Sequence, residues 1–449
     1  MKRLITLGID YGTSFSKIVL RDYGAPGGEK AHLLRPSNNF RIPSAVGVVG
    51  SNLVFGSRPP QSTETDGGVW HESIKMRVVE EIKGDGEKYF YGPRLDLPVG
   101  LTANDLAVLT VWFLISTAIR GVKEYIGSSA ADVTFNLCLG VPMRFFNDPG
   151  PQQSFLAIAR TARDIYQQNS ALPGPTIPLE RARRLLDSAY DSVSKKVVLP
   201  DSEIRGWIRS EAEAALWWPF RSPSIEAGPY VQIDIGAGTT NLSMFRLAST
   251  TVDGQWVRER IAFFGADSLP AGMDAIDRAL ADWKGQDEAN CLALRGVERS
   301  LFATRGAVVA VSSVLGNIHD AYKAMVAKAS ATHMQAYAER QRWRTHKIFF
   351  LGGGSEIPGI TDWLRRSPLA DNERYLHVVA PQEKPHDLSL GSGTAPRGVL
   401  SHIAVAYGLA NLSADLPKAE TPREVPPMSE HQPGQRQSAR LLDIDEWRY

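Results

Sequence analysis

The stretch Leu7-Gly8-Ile9-Asp10-Tyr11-Gly12-Thr13-Ser14, LGIDYGTS, decides how this chain is read: an apolar strand runs straight into a carboxylate, a glycine and two hydroxyls. A close copy, QIDIGAGTTN, returns at residues 232–241, again after an apolar run. Consecutive backbone N–H groups hold a phosphate only where side chains stay out of the way, and Gly12, Gly236 and Gly238 meet that need. The hydroxyls of Thr13, Ser14, Thr239 and Thr240 add donors. Asp10 and Asp234 at the strand ends would repel a bare phosphate, so they make sense with a divalent cation between them. Mg²⁺ keeps several waters and takes few protein ligands, so two carboxylates reaching it through water suffice. Either acid alone could sit in an ordinary turn, where Asp and Gly are common. The pair points to one shared ligand.

A third glycine cluster, Gly352-Gly353-Gly354-Ser355, follows the apolar run KIFFL at 347–351, with a helix expected to open near Pro358. Such a junction lets a flat ring or a ribose approach the backbone, and a helix N-terminus favours a negative group. A plain tight connection is the alternative. The chain contains no G-x-x-x-x-G-K-[ST] and no strand-linked G-x-G-x-x-G with a later acidic partner, so the Walker and Rossmann solutions to phosphate binding are poorly supported.

Working outward, residues 3–20 read as a β-hairpin and 42–56 as further short strands. A helix is expected from 102 to 126, with Thr and Asn at its start and Gly127 after its end. An apolar strand follows at 133–142, stopped by Pro142, and 150–217 reads as mostly helical with a break at 171–178. In the second half, strands 230–235 and 242–246 form another hairpin, and mixed helices are expected to about 340. Prolines and missing apolar periodicity predict a disordered tail from 413, although LLDIDEWRY at the end is aromatic and apolar enough to serve as a binding motif.

The bulk properties narrow the class. A chain of 449 residues with 43% hydrophobic and 22% charged residues is an ordinary globular composition, long enough for several subdomains. Fifty basic against forty-nine acidic residues give no global field for nucleic acid or anionic membrane. Two cysteines, Cys138 and Cys291, exclude a disulfide framework and fit a reducing compartment, so a cytoplasmic location is expected. The most apolar segment, 106–119, is shorter than the roughly 20 residues of a spanning helix and reads as buried core. Nine histidines lack H-E-x-x-H or Cys-rich spacing, which argues against zinc. Trp217 and Trp218 read as packing more than as a contact surface, and Arg181, Arg183 and Arg184 as a solvated helix face.

At the three glycine clusters the chain resembles the nucleotide-binding domain of the 70-kDa heat-shock chaperones, within the actin, sugar-kinase and heat-shock ATPase superfamily. IDYGTSFSKIVL resembles the first phosphate segment, IDIGAGTTNLSMF the second and FFLGGGSEIPGI the adenosine segment. IPSAVGVV, ESIKMRVV, LGVPMRFFND, SEAEAALWW and IAVAYGLAN, at 42–49, 72–79, 139–148, 210–218 and 403–411, are similar to further segments of that branch in the same order. The resemblance implies an α/β, two-lobed actin-like ATPase fold of duplicated ribonuclease-H-like halves with a nucleotide cleft between them. It implies an N-terminal lobe over 1–225, a C-terminal lobe over 226–412 with a helical insertion at about 275–340, and a tail from 413 to 449.

By the same resemblance Asp10 and Asp234 orient Mg²⁺ and its waters, Thr13 and Thr239 contact the γ-phosphate, and Lys75 helps place the attacking water. Glu211 polarises the nucleophile, Gly353, Gly354 and Ser355 line the adenosine, and Pro142 links cleft closure to the rest of the molecule. The set implies ATP or ADP with Mg²⁺, and slow hydrolysis used as a switch on protein partners, with a monomeric or weakly associating chain that binds neither nucleic acid nor membrane. An actin-like filament former, a small-molecule kinase and a nucleotide-sensing scaffold are the other readings. Three positions depart from the family: Asn241 replaces an acid after the second phosphate glycines, Ala212 a proline, and His402 an acid before the last segment. The lysine-bearing adenine clamp is not found in 275–340, where Glu298, Arg299 and Ser300 are the weak candidates. The residues beyond 412 are too few for the family's peptide-binding sandwich and lid, so peptide clamping of that kind is not expected.

Overall fold

The computed structural model describes residues 3–57, 68–84, 96–98, 100–127, 133–169, 174–193, 199, 201–218, 228–252, 255–285, 305–337, 347–357, 360, 376–377, 384–391, 398–412 and 418–420. The fold is mixed α/β with several sheets. In the first half the strands are β1 (Arg3–Asp10), β2 (Phe15–Asp22), β3 (Lys30–Leu33), β4 (Ile42–Pro43), β5 (Val46–Val49), β6 (Asn52–Phe55), β7 (Val69–His71), β8 (Val133–Val141), β9 (Thr176–Pro178) and β10 (Ile208–Ser210). In the second half they are β11 (Gly228–Ile235), β12 (Thr240–Val252), β13 (Gln255–Leu269), β14 (Lys347–Leu351), β15 (Leu376–His377), β16 (Leu388–Ser389) and β17 (Lys418–Glu420). The helices that position the site are α1 (Ile74–Lys83), α2 (Ala103–Ile126), α3 (Pro149–Gln168), α4 (Glu211–Ala215), α5 (Met273–Lys284), α6 (Arg305–Tyr337) and α7 (Val399–Leu409).

One sheet runs β10-β8-β1-β2-β3-β16 and another β15-β14-β11-β12-β13-β17. In each, a hairpin pairs antiparallel with a third strand, and a later strand joins the hairpin's first strand in parallel. Counted in chain order within each half, both sheets read 5-4-1-2-3, and each outer edge takes one more parallel strand from the far C-terminal part of the chain. The duplicated strand-turn-strand pattern of the sequence is therefore a duplicated sheet topology.

Each sheet covers one face with its own helices. Apolar residues of α1, α2 and α3 pack on the first sheet, and those of α5 and α6 on the second. A third core joins the sheets: Val19 and Leu33 face Tyr230, Phe245 and Phe349, with α7 filling the space between. Trp217 and Trp218 are buried in this joint, as the packing reading expects, and Arg181 and Arg184 are exposed.

Helix α2 starts and stops where the sequence places it. Thr102 and Asp105 form a reciprocal capping box that satisfies two otherwise orphaned N–H groups, and Gly127 closes the end. It is 24 residues long and apolar enough to cross a membrane by length and composition, but 83% of its most apolar window is buried inside the protein. Leu106, Leu109, Val111 and Trp112 account for much of that burial, each side chain contributing about 1.5–3 kcal/mol.

Two expectations need correction. The region after residue 246, read as mixed helices, begins with a continuation of β12 to Val252 and the 15-residue strand β13, and only then becomes helical at α5. Every residue of β13 from Gln255 to Leu269 lies along β12 apart from two bulges, so cross-strand pairing overrides the weak local signal. The tail, read as disordered from 413, contributes Lys418–Glu420 to the edge of the second sheet beside Arg260–Ala262. The remaining tail residues, including LLDIDEWRY, lie outside the described residues, as do Pro358 and Glu298, Arg299 and Ser300.

Candidate functional site

Asp10 is the last residue of β1, and Asp234 stands one residue before the end of β11, so each acid is carried to the tip of its hairpin. The second turn is held tightly. Gly236 N–H donates to the Thr239 carbonyl at 2.9 Å, and Met273 and Asp274 N–H at the start of α5 donate to the Gly236 and Ala237 carbonyls at 3.0 and 2.8 Å. The two tips meet at Gly238: a Cβ there would lie 2.9 Å from Thr13 Cγ2 and 3.0 Å from Met76 Cγ. This contact between residues 225 positions apart leaves a cavity of about 270 Å³ bounded by both turns, by Lys75 and Glu211, and by Gly353–Gly354. Ser73, which precedes α1 in a left-handed conformation (φ 53°), donates its hydroxyl to Asp274 at 3.4 Å and ties the same two regions together.

At one end of the cavity lie three carboxylates and two ammonium groups. Lys75 on α1 and Glu211 at the start of α4 form a buried ion pair. Lys17 on β2 donates to Asp10 Oδ2 at 2.9 Å. Asp234 is also buried and is pushed up to about 7, by removal from water first and then by the charges of Glu211 and Asp10. Burial likewise pushes Glu211 upward, against the pull of Lys75. Asn241, opposite Asp234 on β12, donates to Glu211 at 3.5 Å and accepts from the Ser268 hydroxyl at 2.6 Å. An acid at 241 would add a fourth negative charge here, whereas the Asn241 amide adds none and donates to Glu211.

Among the described residues no group of three or more His, Cys, Asp or Glu side chains forms a direct metal cage. Asp10 and Asp234 at the two tips are the residues that would hold a hydrated Mg²⁺, which keeps most of its waters and takes few protein ligands.

The other end is built from Gly353–Gly354, from α7 and from Arg41, which precedes β4. His402 Nε2 lies 3.1 Å from Glu356 Oε2, and Ser401 Oγ donates to Glu356 Oε1 at 2.8 Å. Arg41 Nη2 reaches across to within 2.6 Å of His402 Nε2. Burial would raise Glu356, but the bonds from His402 and Ser401 and the charge of Arg41 outweigh it and hold its carboxyl below the usual range. Burial lowers His402.

Of the sequence-predicted residues, Asp10, Gly12, Thr13, Ser14, Lys75 and Glu211 line the cavity, and so do Asp234, Gly236, Thr239, Gly353, Gly354 and Pro142. Three do not. Thr240 turns its hydroxyl to the Ala271 carbonyl at 2.6 Å, Ser355 bonds the Gly352 carbonyl at 2.7 Å, and Gly238 abuts Thr13. Alternation along β12 turns Thr240 away from the face that Thr239 and Asn241 border. Sequence reasoning missed Lys17, Arg41 and Glu356. Lys17 was legible in principle, because the six residues 11–16 set it opposite Asp10, whereas Arg41 lies just before the segment IPSAVGVV and Glu356 just after the glycine cluster, neither singled out by local pattern. No family model matches the chain, and a search of curated proteins finds no similar one.

Proposed function

We propose that this chain is an ATPase that binds Mg-ATP between the two acid-bearing hairpins, hydrolyses it slowly and uses the change to act on protein partners. The finer fold belongs to the same proposal: a two-lobed actin-like architecture of duplicated ribonuclease-H-like halves. The observation that carries it is the meeting of two equivalent turns, Gly12–Ser14 and Gly236–Thr239, over one cavity that holds Asp10, Asp234, Lys75 and Glu211. The identical 5-4-1-2-3 strand order of the two sheets supports the duplication.

Phosphoryl transfer asks a protein mainly for positioning and charge stabilisation. Backbone N–H groups of the two glycine turns and the hydroxyls of Thr13 and Thr239 would orient the phosphates. Asp10 and Asp234 would hold Mg²⁺ through water, and the ion would supply neutralisation of the charge that develops on the phosphates. Lys75 offers a cation to the terminal phosphate, and Glu211, held by Lys75 and Asn241, accepts a hydrogen bond from the attacking water. Burial raises Glu211 above the ordinary carboxylate range, which makes it a better proton acceptor than an exposed carboxylate.

Purified protein with Mg-ATP should release free phosphate with no added acceptor, which separates hydrolysis from a kinase reaction. Asp10→Asn and Thr239→Ala should lower the rate at least about hundredfold with circular dichroism unchanged, in line with losing a transition-state contact. Rates equal to wild type would remove the assignment. Sedimentation with and without nucleotide tests the filament alternative, which expects ATP-dependent pelleting.

A further inference from the structure

The cavity is chemically divided. Lys17 and Lys75 stand with the three carboxylates at the hairpin tips, while Arg41, His402, Glu356 and Ser401 bond among themselves beside Gly353, within range of the Lys17 charge. Mg-ATP at the tips accounts for the first group and leaves the second without an assigned task. Residues 275–340, where a ring clamp would be sought, place no side chain on the cavity among those described.

Arg41 is built to present a flat cationic surface. Its guanidinium carbon lies 5.4 Å from the Phe40 ring centroid, and the same ring meets His402 edge-on at 6.1 Å. Phe40 is buried, so one fixed aromatic side chain backs both groups. Glu356 and Ser401 hold His402 from the other side, and Gly353 leaves room for the imidazole, since a Cβ there would stand 2.9 Å from His402 Cε1. Positive charge at this end is balanced by Glu356, which makes it a poor seat for a triphosphate. A planar guanidinium and an imidazole stack on heteroaromatic rings and donate to their edges.

We propose that Arg41, supported by His402, is the specificity-determining surface for the planar base of a nucleoside phosphate bound in this cavity. It reaches the ring end from the first half of the chain, so base contact and approach of the two halves are coupled. The inference rests on the reading of the cavity as a nucleotide site and adds the residues that read the base.

Calorimetric titration of the full chain with ATP and with inorganic tripolyphosphate, both with Mg²⁺, tests it. Tripolyphosphate has the charge and lacks the base. Arg41→Ala and Arg41→Lys should each lose about ten- to a hundredfold in ATP affinity, the scale of a lost stacking contact, while tripolyphosphate affinity stays within about twofold of wild type. Unchanged tripolyphosphate binding also shows that the variants are folded. Equal losses for both ligands, or an Arg41→Lys variant with wild-type ATP affinity, would overturn the role of Arg41. Wild-type protein that binds tripolyphosphate as tightly as ATP also removes the base contact and leaves the phosphate site standing. Binding of neither ligand removes the nucleotide reading and the base contact with it.

Discussion

Across the strand from Asp10 lies Lys17, which donates to the carboxylate at 2.9 Å; at the same place in the second hairpin, across from Asp234, lies Asn241, whose amide turns to Glu211 and Ser268. The two hairpins share antiparallel pairing and sheet position and differ in the residue set across from the acid. In the first, a side chain of the protein balances the acid. In the second, burial and the charges of Glu211 and Asp10 push Asp234 up to about 7, against the pull of Lys17 and Lys75. A duplicated backbone thus carries two unequal acids: one hydrogen-bonded to a lysine across the strand, the other raised by burial and by its acidic neighbours.

The largest effect falls on Lys75, whose ammonium is paired with the buried Glu211. Lys75→Met leaves Glu211 buried without its cation and should cost about 3–5 kcal/mol of unfolding free energy by urea denaturation. A loss under about 1 kcal/mol would mean that the pair is open to water.

The inequality of the acids is sharpened by pH. Asp234 binds its proton more tightly folded, at about 7, than at its ordinary 3.8, so its contribution to stability is present below about pH 4, declines as pH rises towards 7 and is absent above. Asp234→Asn removes that decline. Between pH 5 and pH 8 the empty wild-type protein should lose about 1–3 kcal/mol relative to the variant, a figure reduced from the full shift because Glu211 titrates with it. Parallel stability curves would show that Asp234 does not bind its proton more tightly in the folded protein. The smallest effect belongs to the contact between the tips: Gly238→Ala sets a methyl against Thr13 and Met76 and should cost about 1 kcal/mol, with weaker Mg-ATP binding on titration. Unchanged stability and binding would show that the tips move apart freely.

Much of this was legible in the sequence because local chemistry decided it. Thr102, Asp105 and Gly127 bound α2, Pro142 ends the run of β8, and the two Ile-Asp hairpins form as read, since apolar alternation and turn residues act over a few positions. Apart from Lys17, the residues missed are those brought together from distant parts of the chain. Arg41 and His402 lie 361 residues apart and meet only once α7 is packed between the two sheets. Strand β13 was hidden because its partner is a long β12 that the local pattern ended at 246, and Lys418–Glu420 because three residues become a strand only against an existing edge.

Titrating Mg-ATP calorimetrically into wild-type protein, Asp10→Asn and Asp234→Asn asks whether both hairpins grip one ligand. Wild type should bind with measurable heat, and both variants should lose at least about tenfold in affinity. Binding that is untouched by either substitution, or no heat with wild type, would contradict a magnesium–triphosphate site between the two tips.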